Sequence, residues 1–531
     1  MLTQSVYSLA LYSLICSRAA HAAPSAKPAK HRNLIFMVSD GFGIAGETMA
    51  RGYVQTTNNY PLEWSSILDE LLVGTSRTRS SDSLITDSAA GATAFSCAQK
   101  TYNGAIGVSH DRKPCGTVLE AAKQAGYLTG LVSTARITHA TPGSFAAHVV
   151  HRDMEDLIAQ HMISYNSSLT PAPTVDLMFG GGSCFFAPET PNPAAGNPKT
   201  SCRSDQLDLW QFAQTKYRYS TISTRKQFDD LNAADKKLPM LGLFTDSHMA
   251  YEIDRDPAEE PSLTEMTQKA LDMLHTASTV THGNGTACAP GFFIMIEGAR
   301  IDMAAHDNDP ASHLHDIIEY WNAVAAVRKF IDTHPDTLMI GTSDHETGGL
   351  TIGYDPEYVW YPNVLTPVKN SAEVICSQIR PLSKDHKKLL IAVTTKVLPK
   401  QLGITNATHE EINNIVDGAG GSAKACKHAV GHVVSDRARL GWTTGGHTGV
   451  DVGLYAYGAG SSTIRGNKDN TYVGQLLADF LDVKPESITP LLANQKTVQK
   501  GFDENLVDVK AGKSSSTIEL ITRAGVLSYD V

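Results

Sequence analysis

The chain has 531 residues, of which 42% are hydrophobic and 19% are charged, so its composition is that of a globular protein with a large core. Its 55 acidic residues outnumber 45 Lys and Arg residues, which gives a net charge of -10 and excludes nucleic acid as an expected partner. No repeat, long charge run or Pro/Ser-rich linker divides the chain, and we therefore expect a single domain over residues 30–531.

The N-terminus carries a short apolar run that ends in the small-residue pattern Ala20-His21-Ala22. This pattern predicts a secretory signal peptide over residues 1–23, with cleavage near Ala22 or Ala23. The run is shorter than the roughly 20 residues that cross a bilayer. We therefore expect a secreted protein with no stable membrane span, and the alternatives are a retained signal anchor or delivery to a vacuolar lumen.

Passage through the secretory route makes cysteines candidates for disulfides and Asn-X-Ser/Thr sequons candidates for glycosylation. The sequons are Asn166, Asn284 and Asn406. Proximity in sequence suggests three disulfides, although spacing alone does not determine connectivity. The suggested pairs are Cys97 with Cys115, Cys184 with Cys202 and Cys376 with Cys426, which leaves Cys288 unpaired.

Short apolar runs predict buried strands along most of the chain. They cover residues 33–39, 127–133, 175–179, 240–244, 292–298, 337–343 and 452–458. Amphipathic stretches at 263–277 and 314–331 predict helices. The alternation predicts an α/β fold with a large, mostly parallel central sheet and helices on both faces.

The segment TDSAAGATAF, at 86–95, predicts a turn that enters a helix with Ser88 near its first residue. Unpaired backbone N–H groups and the helix dipole favour an anion there, and the small residues would let it approach. The alternative is a helix cap followed by close helix packing. Beside bound cations, the Ser88 hydroxyl would become a strong nucleophile.

Acidic and histidine side chains follow three of the predicted strands. Because ligands bind outside the carboxyl ends of strands in α/β sheets, these side chains are expected to meet. Each one alone would more often be a turn or cap residue, but carboxylates crowded at one edge repel each other unless a cation binds them. Mixed imidazole and carboxylate ligands favour zinc, and oxygen-only ligands favour magnesium. The candidates are Asp40, Glu297, Asp302, His306, Asp344, His345 and, later in the chain, His447.

Six motifs, in a fixed order, make the chain resemble alkaline phosphatases, and fungal members in particular. They extend from about Asn33 to Gly458. The motifs are FMVSDGFG, ITDSAAGATAF with the following KTYNGAIGV, THATPGSFAAHVVHR, IEGARIDMAAHDND, GTSDHETGG and TGGHTG. The resemblance implies hydrolysis of phosphate monoesters through a phosphoserine, in a homodimer that binds two Zn²⁺ and one Mg²⁺ per subunit.

The resemblance also implies a role for each matching residue. Ser88 would be the nucleophile, Arg152 would bind two phosphate oxygens, and Asp87 would orient the Arg152 guanidinium. The implied ligands are Asp302, His306 and His447 for one zinc, Asp40, Asp344, His345 and the Ser88 oxygen for the other, and Asp40, Thr141 and Glu297 for magnesium.

Two positions depart from the bacterial pattern of this family. Bacterial members carry Asp at the position of His139, whereas animal members carry His there, as this chain does. Bacterial members carry Lys at the position of Met303. We expect His139 to be a secondary ligand that draws zinc to the third site, and the absence of a lysine at 303 to weaken phosphate binding. Residues 346–440 would form the variable "crown" of the family near the dimer interface.

The sequence leaves two alternative functions beside a phosphomonoesterase. One is a phosphodiesterase or sulfatase of the same superfamily, but the sulfatase nucleophile motif is absent, and a diester leaves one phosphate oxygen substituted. The other is a non-catalytic secreted protein that binds metal or phosphate. A missing nucleophile or ligand would favour that alternative, and none is missing. The motifs contact only the phosphate, so they do not indicate the natural substrate.

Overall fold

The computed structural model describes residues 31–493, except 168, 170, 189–200, 236, 281–288, 355 and 357, together with the backbone of three C-terminal strands. The predicted signal peptide at 1–23, the Asn284 sequon and Cys288 lie outside the described residues. Within the described part of the chain, no helix combines the length and the hydropathy that a membrane span needs.

The strands follow one another along the chain and are numbered in that order. They are β1 (Arg32–Ser39), β2 (Leu72–Arg77), β3 (Leu128–Arg136), β4 (Leu177–Gly181), β5 (Ser220–Ile222), β6 (Met240–Leu243), β7 (Gly291–Gly298), β8 (Thr337–Thr342), β9 (Glu346–Thr347), β10 (Leu350–Ile352), β11 (Leu440–Trp442), β12 (His447–Thr448), β13 (Val452–Gly458), β14 (Gly466–Asp469), β15 (Asp508–Val509), β16 (Thr517–Thr522) and β17 (Gly525–Asp530).

Ten of these strands form one sheet, in the order β14-β2-β13-β8-β1-β7-β3-β4-β6-β5. All neighbouring pairs are parallel except the two made by β13, which is antiparallel to β2 and to β8. The seven predicted strands are confirmed, as is the mostly parallel sheet. The sequence did not predict β2, β5 or β14, because these strands are short or lack a continuous apolar run.

The helices are likewise numbered in chain order. They are α1 (Ile44–Thr57), α2 (Ile67–Leu71), α3 (Ser88–Cys97), α4 (Val118–Gln124), α5 (Ala140–Ala146), α6 (Glu155–Met162), α7 (Leu209–Phe212), α8 (Arg225–Asp229), α9 (Leu263–Ser278), α10 (Arg300–His306), α11 (Pro310–Thr333), α12 (Ala372–Ile379), α13 (His386–Ala392), α14 (His409–Gly420), α15 (Ala423–Ala438), α16 (Asn470–Leu481) and α17 (Thr489–Leu492). The two predicted amphipathic helices are confirmed as α9 and α11.

Helices cover both faces of the sheet, because successive strand residues point to opposite sides. On one face, Ile35 and Met37 of β1 belong to a core that includes residues of α9 and α11. On the other face, Leu34 and Phe36 belong to a second core that includes residues of α3, α5 and α16. The central strands are therefore apolar on both sides, as expected for a parallel sheet with two helical layers.

Residues 346–440 leave the sheet after β8 and contain α12 to α15. The two ends of this segment meet where β10 pairs with β11, with Ile352 opposite Leu440. Its cysteines form the disulfide Cys376–Cys426, which joins α12 to α15. The other two suggested pairs, Cys97–Cys115 and Cys184–Cys202, are also present.

Candidate active site

Three adjacent parallel strands end at the same edge of the sheet. β1 lies between β7 and β8, and Val38 is opposite both Glu297 and Thr342. Asp40 therefore follows β1 close to the end of β7 and to Asp344, which follows β8. The fold thus brings together carboxylates that are about 300 residues apart in sequence.

One group of candidate metal ligands consists of Asp40, Asp344 and His345, all fully buried. The His345 Nε2 atom lies 3.1 Å from Asp344 Oδ2 and 3.7 Å from Asp40 Oδ1. On the opposite side of the ring, His345 Nδ1 lies 3.1 Å from the Thr347 hydroxyl. The ring is therefore oriented with Nε2 facing the carboxylates.

A second group consists of Asp302, His306 and His447. Asp302 and His306 are one turn apart on α10, and the His306 Nε2 atom lies 3.4 Å from Asp302 Oδ2 and 3.1 Å from His447 Nε2. The other ring nitrogens donate to backbone carbonyls, His306 Nδ1 to Gly445 at 2.9 Å and His447 Nδ1 to Thr86 at 2.8 Å. Such outer bonds orient imidazoles that bind metals.

A third group consists of Asp40, His139 and Glu297. Ser133 donates to Glu297 Oε2 at 2.5 Å. Burial raises the pKa of Glu297 to about 7, although the Ser133 and Thr141 hydroxyls act to lower it. Thr141, the third ligand that the resemblance implied, is therefore close to Glu297, and His139, expected as a secondary ligand, lies in the same group.

The polar atoms at the centre of these groups fit metal ions. Several buried atoms have no hydrogen-bond partner among the described residues, which is unusual for buried polar atoms. They include both Asp40 carboxylate oxygens, Glu297 Oε1, Thr141 Oγ1 and His139 Nδ1. Burial, together with the neighbouring carboxylates of Asp344, Asp302 and Glu297, raises the pKa of Asp40 well above its usual value. Bound cations would both neutralise these carboxylates and satisfy the free oxygen atoms.

Ser88 is the first residue of α3, and Asp87 is its N-cap. The Asp87 Oδ1 atom accepts a hydrogen bond from Ala90 N at 2.9 Å. The Ser88 hydroxyl is buried and lies 3.1 Å from His345 Nε2, next to the Asp40 group. A Cβ atom at Gly91 would lie 3.0 Å from the Cβ of Asp344, so the small residues of this helix also allow close packing against the end of β8.

The Arg152 guanidinium lies beside Ser88 and is held at two points. Its Nη1 atom donates to Asp87 Oδ2 at 3.2 Å, and its Nη2 atom donates to His139 Nε2 at 3.1 Å. Asp87 is itself fixed, because its Oδ2 atom accepts from Gly104 N at 3.0 Å. The guanidinium is consequently oriented before any phosphate binds.

The alkaline phosphatase family model matches residues 31–483 of this chain. The chain belongs to the alkaline phosphatase family. It is 44% identical to an alkaline phosphatase of Schizosaccharomyces pombe over 87% of this chain and 84% of that protein. It is 43% identical to the repressible alkaline phosphatase of Saccharomyces cerevisiae over 88% of this chain and 84% of that protein.

The fold agrees with this membership. A cold-active alkaline phosphatase from Shewanella sp. superposes with a TM-score of 0.69 at 29% identity, covering 85% of this chain and 99% of that structure. As an alkaline phosphatase, the protein is a metal-dependent phosphomonoester hydrolase, and its three candidate ligand groups lie at one site. The resemblance inferred from the six motifs is confirmed.

Several residues at this site were not predicted from the sequence. The Thr347 hydroxyl donates to Asp302 Oδ1 at 2.5 Å, and Ser133 bonds to Glu297 as described above. Behind His139, the Arg136 Nη1 atom lies 2.6 Å from His248 Nε2, and the Arg136 Nη2 atom lies 2.7 Å from Glu155 Oε1. Thr347 falls inside the motif GTSDHETGG, whereas His248 lies in no motif and carries no sequence signal.

Proposed function

We propose that this alkaline phosphatase hydrolyses phosphate monoesters through a phosphoserine at Ser88, at a site that holds two zinc ions and one magnesium ion. The observation that carries the proposal is the convergence of three ligand groups, a helix-terminal serine and an anchored arginine at one edge of the sheet. The phosphodiesterase and binding-protein alternatives do not require all of these features.

The ligand sets follow from the chemistry of the donors. All three groups contain imidazole and carboxylate. The two in which imidazole would be a direct ligand, through His306 and His447 and through His345, suit zinc. The oxygen-rich set suits magnesium. The zinc ligands would be Asp302, His306 and His447 in one group and Asp40, Asp344, His345 and Ser88 in the other, and the magnesium ligands would be Asp40, Thr141 and Glu297, with His139 as a secondary ligand.

Ser88 would attack the phosphorus atom, and the alcohol would leave on the opposite side of the phosphoryl group. Water would then attack the phosphoserine, release inorganic phosphate and regenerate Ser88. When bound, the ions would supply Lewis-acid polarisation and neutralise the charge that develops on the oxygens. Ser88 is suited to its part because it begins α3, where free N–H groups favour the anionic phosphoryl oxygens.

Arg152 would bind two non-bridging phosphate oxygens during both steps. A planar guanidinium matches two oxygens at once, which a lysine ammonium does not. Its bonds to Asp87 and His139 keep it in place, so little reorganisation is needed when phosphate binds. A diester also offers two free oxygens to Arg152, but it carries one negative charge fewer, and a second organic group occupies the position of the third oxygen. The arrangement therefore favours monoesters.

We also propose that the enzyme is a secreted, glycosylated homodimer, with residues 346–440 as a crown insertion near the dimer interface. The proposal rests on the signal-like N-terminus, the sequons and the three disulfides. Sedimentation of the purified enzyme and N-terminal sequencing test it. A monomer would contradict the proposed homodimer, and a retained Met1 would contradict cleavage of a secretory signal peptide.

Substrate class is tested by comparing 4-nitrophenyl phosphate, bis(4-nitrophenyl) phosphate and 4-nitrophenyl sulfate at alkaline pH. We expect the monoester to be hydrolysed with a kcat/KM at least about 100-fold above that of either competitor, because only the monoester carries two negative charges for Arg152 and the cations to stabilise. A diester that reacts as well as the monoester would overturn the proposed substrate class.

The nucleophile is tested by trapping the covalent intermediate with labelled phosphate at acidic pH. The label should be recovered as phosphoserine in a peptide that contains Ser88, and Ser88→Ala should lose both the label and most activity. Ser96→Ala is the matched control, because Ser96 is also buried and lies in the same helix. Label at another residue would exclude Ser88 as the nucleophile.

A further inference from the structure

The loop that precedes His447 contains two consecutive glycines. Its sequence is TTGG, at residues 443–446, and it connects β11 to His447, the first residue of β12. Glycine leaves the backbone more conformational freedom than any other residue, so contacts with the surroundings must fix the position of His447. Some are backbone contacts, since Gly348 O accepts from Thr443 N at 3.1 Å and from Thr444 N at 3.2 Å. Further contacts come from side chains at the end of α10.

The position of this loop determines how the imidazoles of His306 and His447 face each other. In each ring, Nδ1 lies against a backbone oxygen, which can only accept, so Nδ1 carries the proton and Nε2 keeps its lone pair. The two Nε2 atoms lie 3.1 Å apart. Two nitrogen ligands of a tetrahedral zinc, each about 2.1 Å from the ion, are about 3.4 Å apart. The rings are therefore close to the spacing of a ligand pair, and a small shift of the loop would change that spacing.

Asn308 joins this loop to the end of α10. It is buried and follows His306 by two residues. Its Nδ2 atom donates to Ala305 O and to Thr444 O, each at 2.9 Å. Ala305 immediately precedes His306, and Thr444 lies three residues before His447. One amide group thus bridges the two backbone segments that carry the imidazoles.

The inserted segment 346–440 holds Asn308 from the other side. The Asn308 backbone has a φ of 51°, a left-handed conformation that Asn adopts more readily than most other residues. Its Oδ1 atom accepts from His432 Nε2 of α15 at 3.2 Å. A Cβ atom at Gly431 would lie 2.4 Å from Asn308 O, so α15 packs directly against this turn. The Asn308 amide is therefore fixed by hydrogen bonds to α10, to the loop and to α15.

We propose that Asn308 is a positioning residue for the ligand pair His306 and His447, and that the inserted segment acts on this metal group through Asn308. The inference rests on the proposed function, because it takes these imidazoles as zinc ligands. Loss of a hydrogen bond behind a metal ligand typically lowers metal affinity by roughly 10- to 100-fold. Without the Asn308 amide, the loop could shift relative to α10. The zinc of this group would then be released more easily, whereas the zinc held with Asp40 would not.

Asn308→Gly tests this role in the complete enzyme. Glycine accepts the left-handed backbone but lacks the amide. Asn59→Gly is the matched control, because Asn59 also has a left-handed backbone just after a helix, with a φ of 54°, and is exposed outside the three ligand groups. Zinc per chain is measured by elemental analysis over a series of buffered free zinc concentrations at fixed magnesium. Zinc-edge anomalous diffraction at limiting zinc shows which group has lost its ion.

In Asn308→Gly, half-occupancy of the group with Asp302 should require about 10-fold more free zinc than in the parent or in Asn59→Gly, and the group with Asp40 and Asp344 should be unchanged. Saturating zinc should restore activity, which a general loss of folding would not allow. Equal zinc binding in variant and parent, or equal weakening of both groups, would overturn the positioning role alone. A parent that binds fewer than two zinc ions would overturn the proposed metal set and this inference with it.

Asn308→Asp decides by the same measurement if Asn308→Gly does not fold. Aspartate has nearly the size of asparagine and can still accept from His432, but its carboxylate offers no N–H to Ala305 or Thr444. Weaker zinc binding in the group with Asp302 alone supports the positioning role, and unchanged binding overturns it.

Discussion

Buried carboxylates in two regions of this protein differ in how their oxygens are satisfied. Asp309, at the start of α11, accepts hydrogen bonds from two backbone N–H groups of α11, from the Ser312 hydroxyl and from Ala372 N. Asp40, at the sheet edge, is also buried, and within the described part of the chain neither of its oxygens has a hydrogen-bond partner. An unpaired buried carboxylate costs several kcal/mol. We infer that the first kind stabilises the fold, and that the second kind persists because cations complete it.

The largest expected effect comes from Asp40→Asn, which should lower the activity of the metal-loaded enzyme but raise the stability of the metal-free protein. Asp40 belongs to two of the three ligand groups, so kcat/KM of the metal-loaded enzyme should fall by about 10³-fold, as several kcal/mol of transition-state stabilisation are lost. The metal-free variant should unfold at a higher temperature than the metal-free parent at alkaline pH, because it no longer buries an unpaired charge. Thermal unfolding in chelator measures this.

Asp309→Asn is the control for Asp40→Asn. It should keep its metal content but lose roughly 1–3 kcal/mol of stability with or without metal, because one hydrogen-bonded oxygen is replaced by an amide donor. If metal-free Asp40→Asn is no more stable than the parent, unpaired oxygens do not distinguish the two kinds of carboxylate.

Glu47 is a third buried carboxylate to compare with Asp309 and Asp40, because it has hydrogen-bond partners and yet burial raises its pKa. Its oxygens accept from the Ser66 hydroxyl at 2.5 Å and from Trp321 Nε1 at 3.0 Å. Burial nevertheless raises the pKa of Glu47 from 4.5 to about 7. The folded state therefore retains a proton that the unfolded state has lost, so stability falls as pH rises from 4.5 to 7 and then stays constant.

Glu47→Gln should remove this loss and stabilise the protein by up to about 3 kcal/mol above pH 7, at roughly 1.4 kcal/mol for each pH unit between the two pKa values. Below pH 4.5 the gain should vanish. The exposed Glu63→Gln serves as control, and denaturant unfolding at several pH values measures the difference. A gain that does not depend on pH would mean that packing, and not ionisation, is responsible.

The difference between apolar and polar buried positions also explains which parts of the structure could be predicted from the sequence. The central strands were predictable because burial on both faces demands continuous apolar runs, whereas the edge strand β14, GNKD, carries no such signal. Asp40, Glu297 and Asp344 were predictable as polar residues at the ends of apolar strands. Their supporting contacts were not, because pairs such as Arg136 and His248 are 112 residues apart and meet only through the fold.

His139 combines both kinds of environment in one ring. Its Nε2 atom accepts a hydrogen bond from Arg152, so Nδ1 of the neutral ring carries a proton, which has no acceptor among the described residues. His139 belongs to the group with Asp40 and Glu297, and it binds a metal there once the ring gives up the bond to Arg152 or the Nδ1 proton. An imidazole there favours zinc over magnesium, so excess zinc should inhibit, and magnesium should restore activity slowly.

His139→Asp should raise the zinc inhibition constant about 10-fold, because an oxygen ligand removes the preference for zinc. The carboxylate of this variant can still accept a hydrogen bond from Arg152, so the position of Arg152 for phosphate binding is kept. The measurement is a zinc titration at fixed magnesium, together with the bound zinc per chain. Unchanged zinc sensitivity would show that His139 does not set the metal preference.

The smallest effect is expected at Met303, where a substitution can add a positive charge and its effect on phosphate binding can be measured. The sequence predicted that a lysine at this position would strengthen phosphate binding. The structure places a cation there already: the buried Arg300 Nη1 atom lies 2.9 Å from Met303 Sδ, and Arg300 Nε has no hydrogen-bond partner among the described residues. Arg300 is also paired with Glu373 at 3.0 Å. A lysine at 303 would meet a like charge, which favours positions of its ammonium that point away from Arg300 and so away from the best contact with phosphate. Met303→Lys should lower the inhibition constant for inorganic phosphate only about threefold, which is less than 1 kcal/mol, and the effect should shrink with added salt.

Met303→Leu, which keeps the volume and adds no charge, should leave the constant unchanged. If the lysine variant binds phosphate no better than the leucine variant, the missing cation is not what sets product affinity.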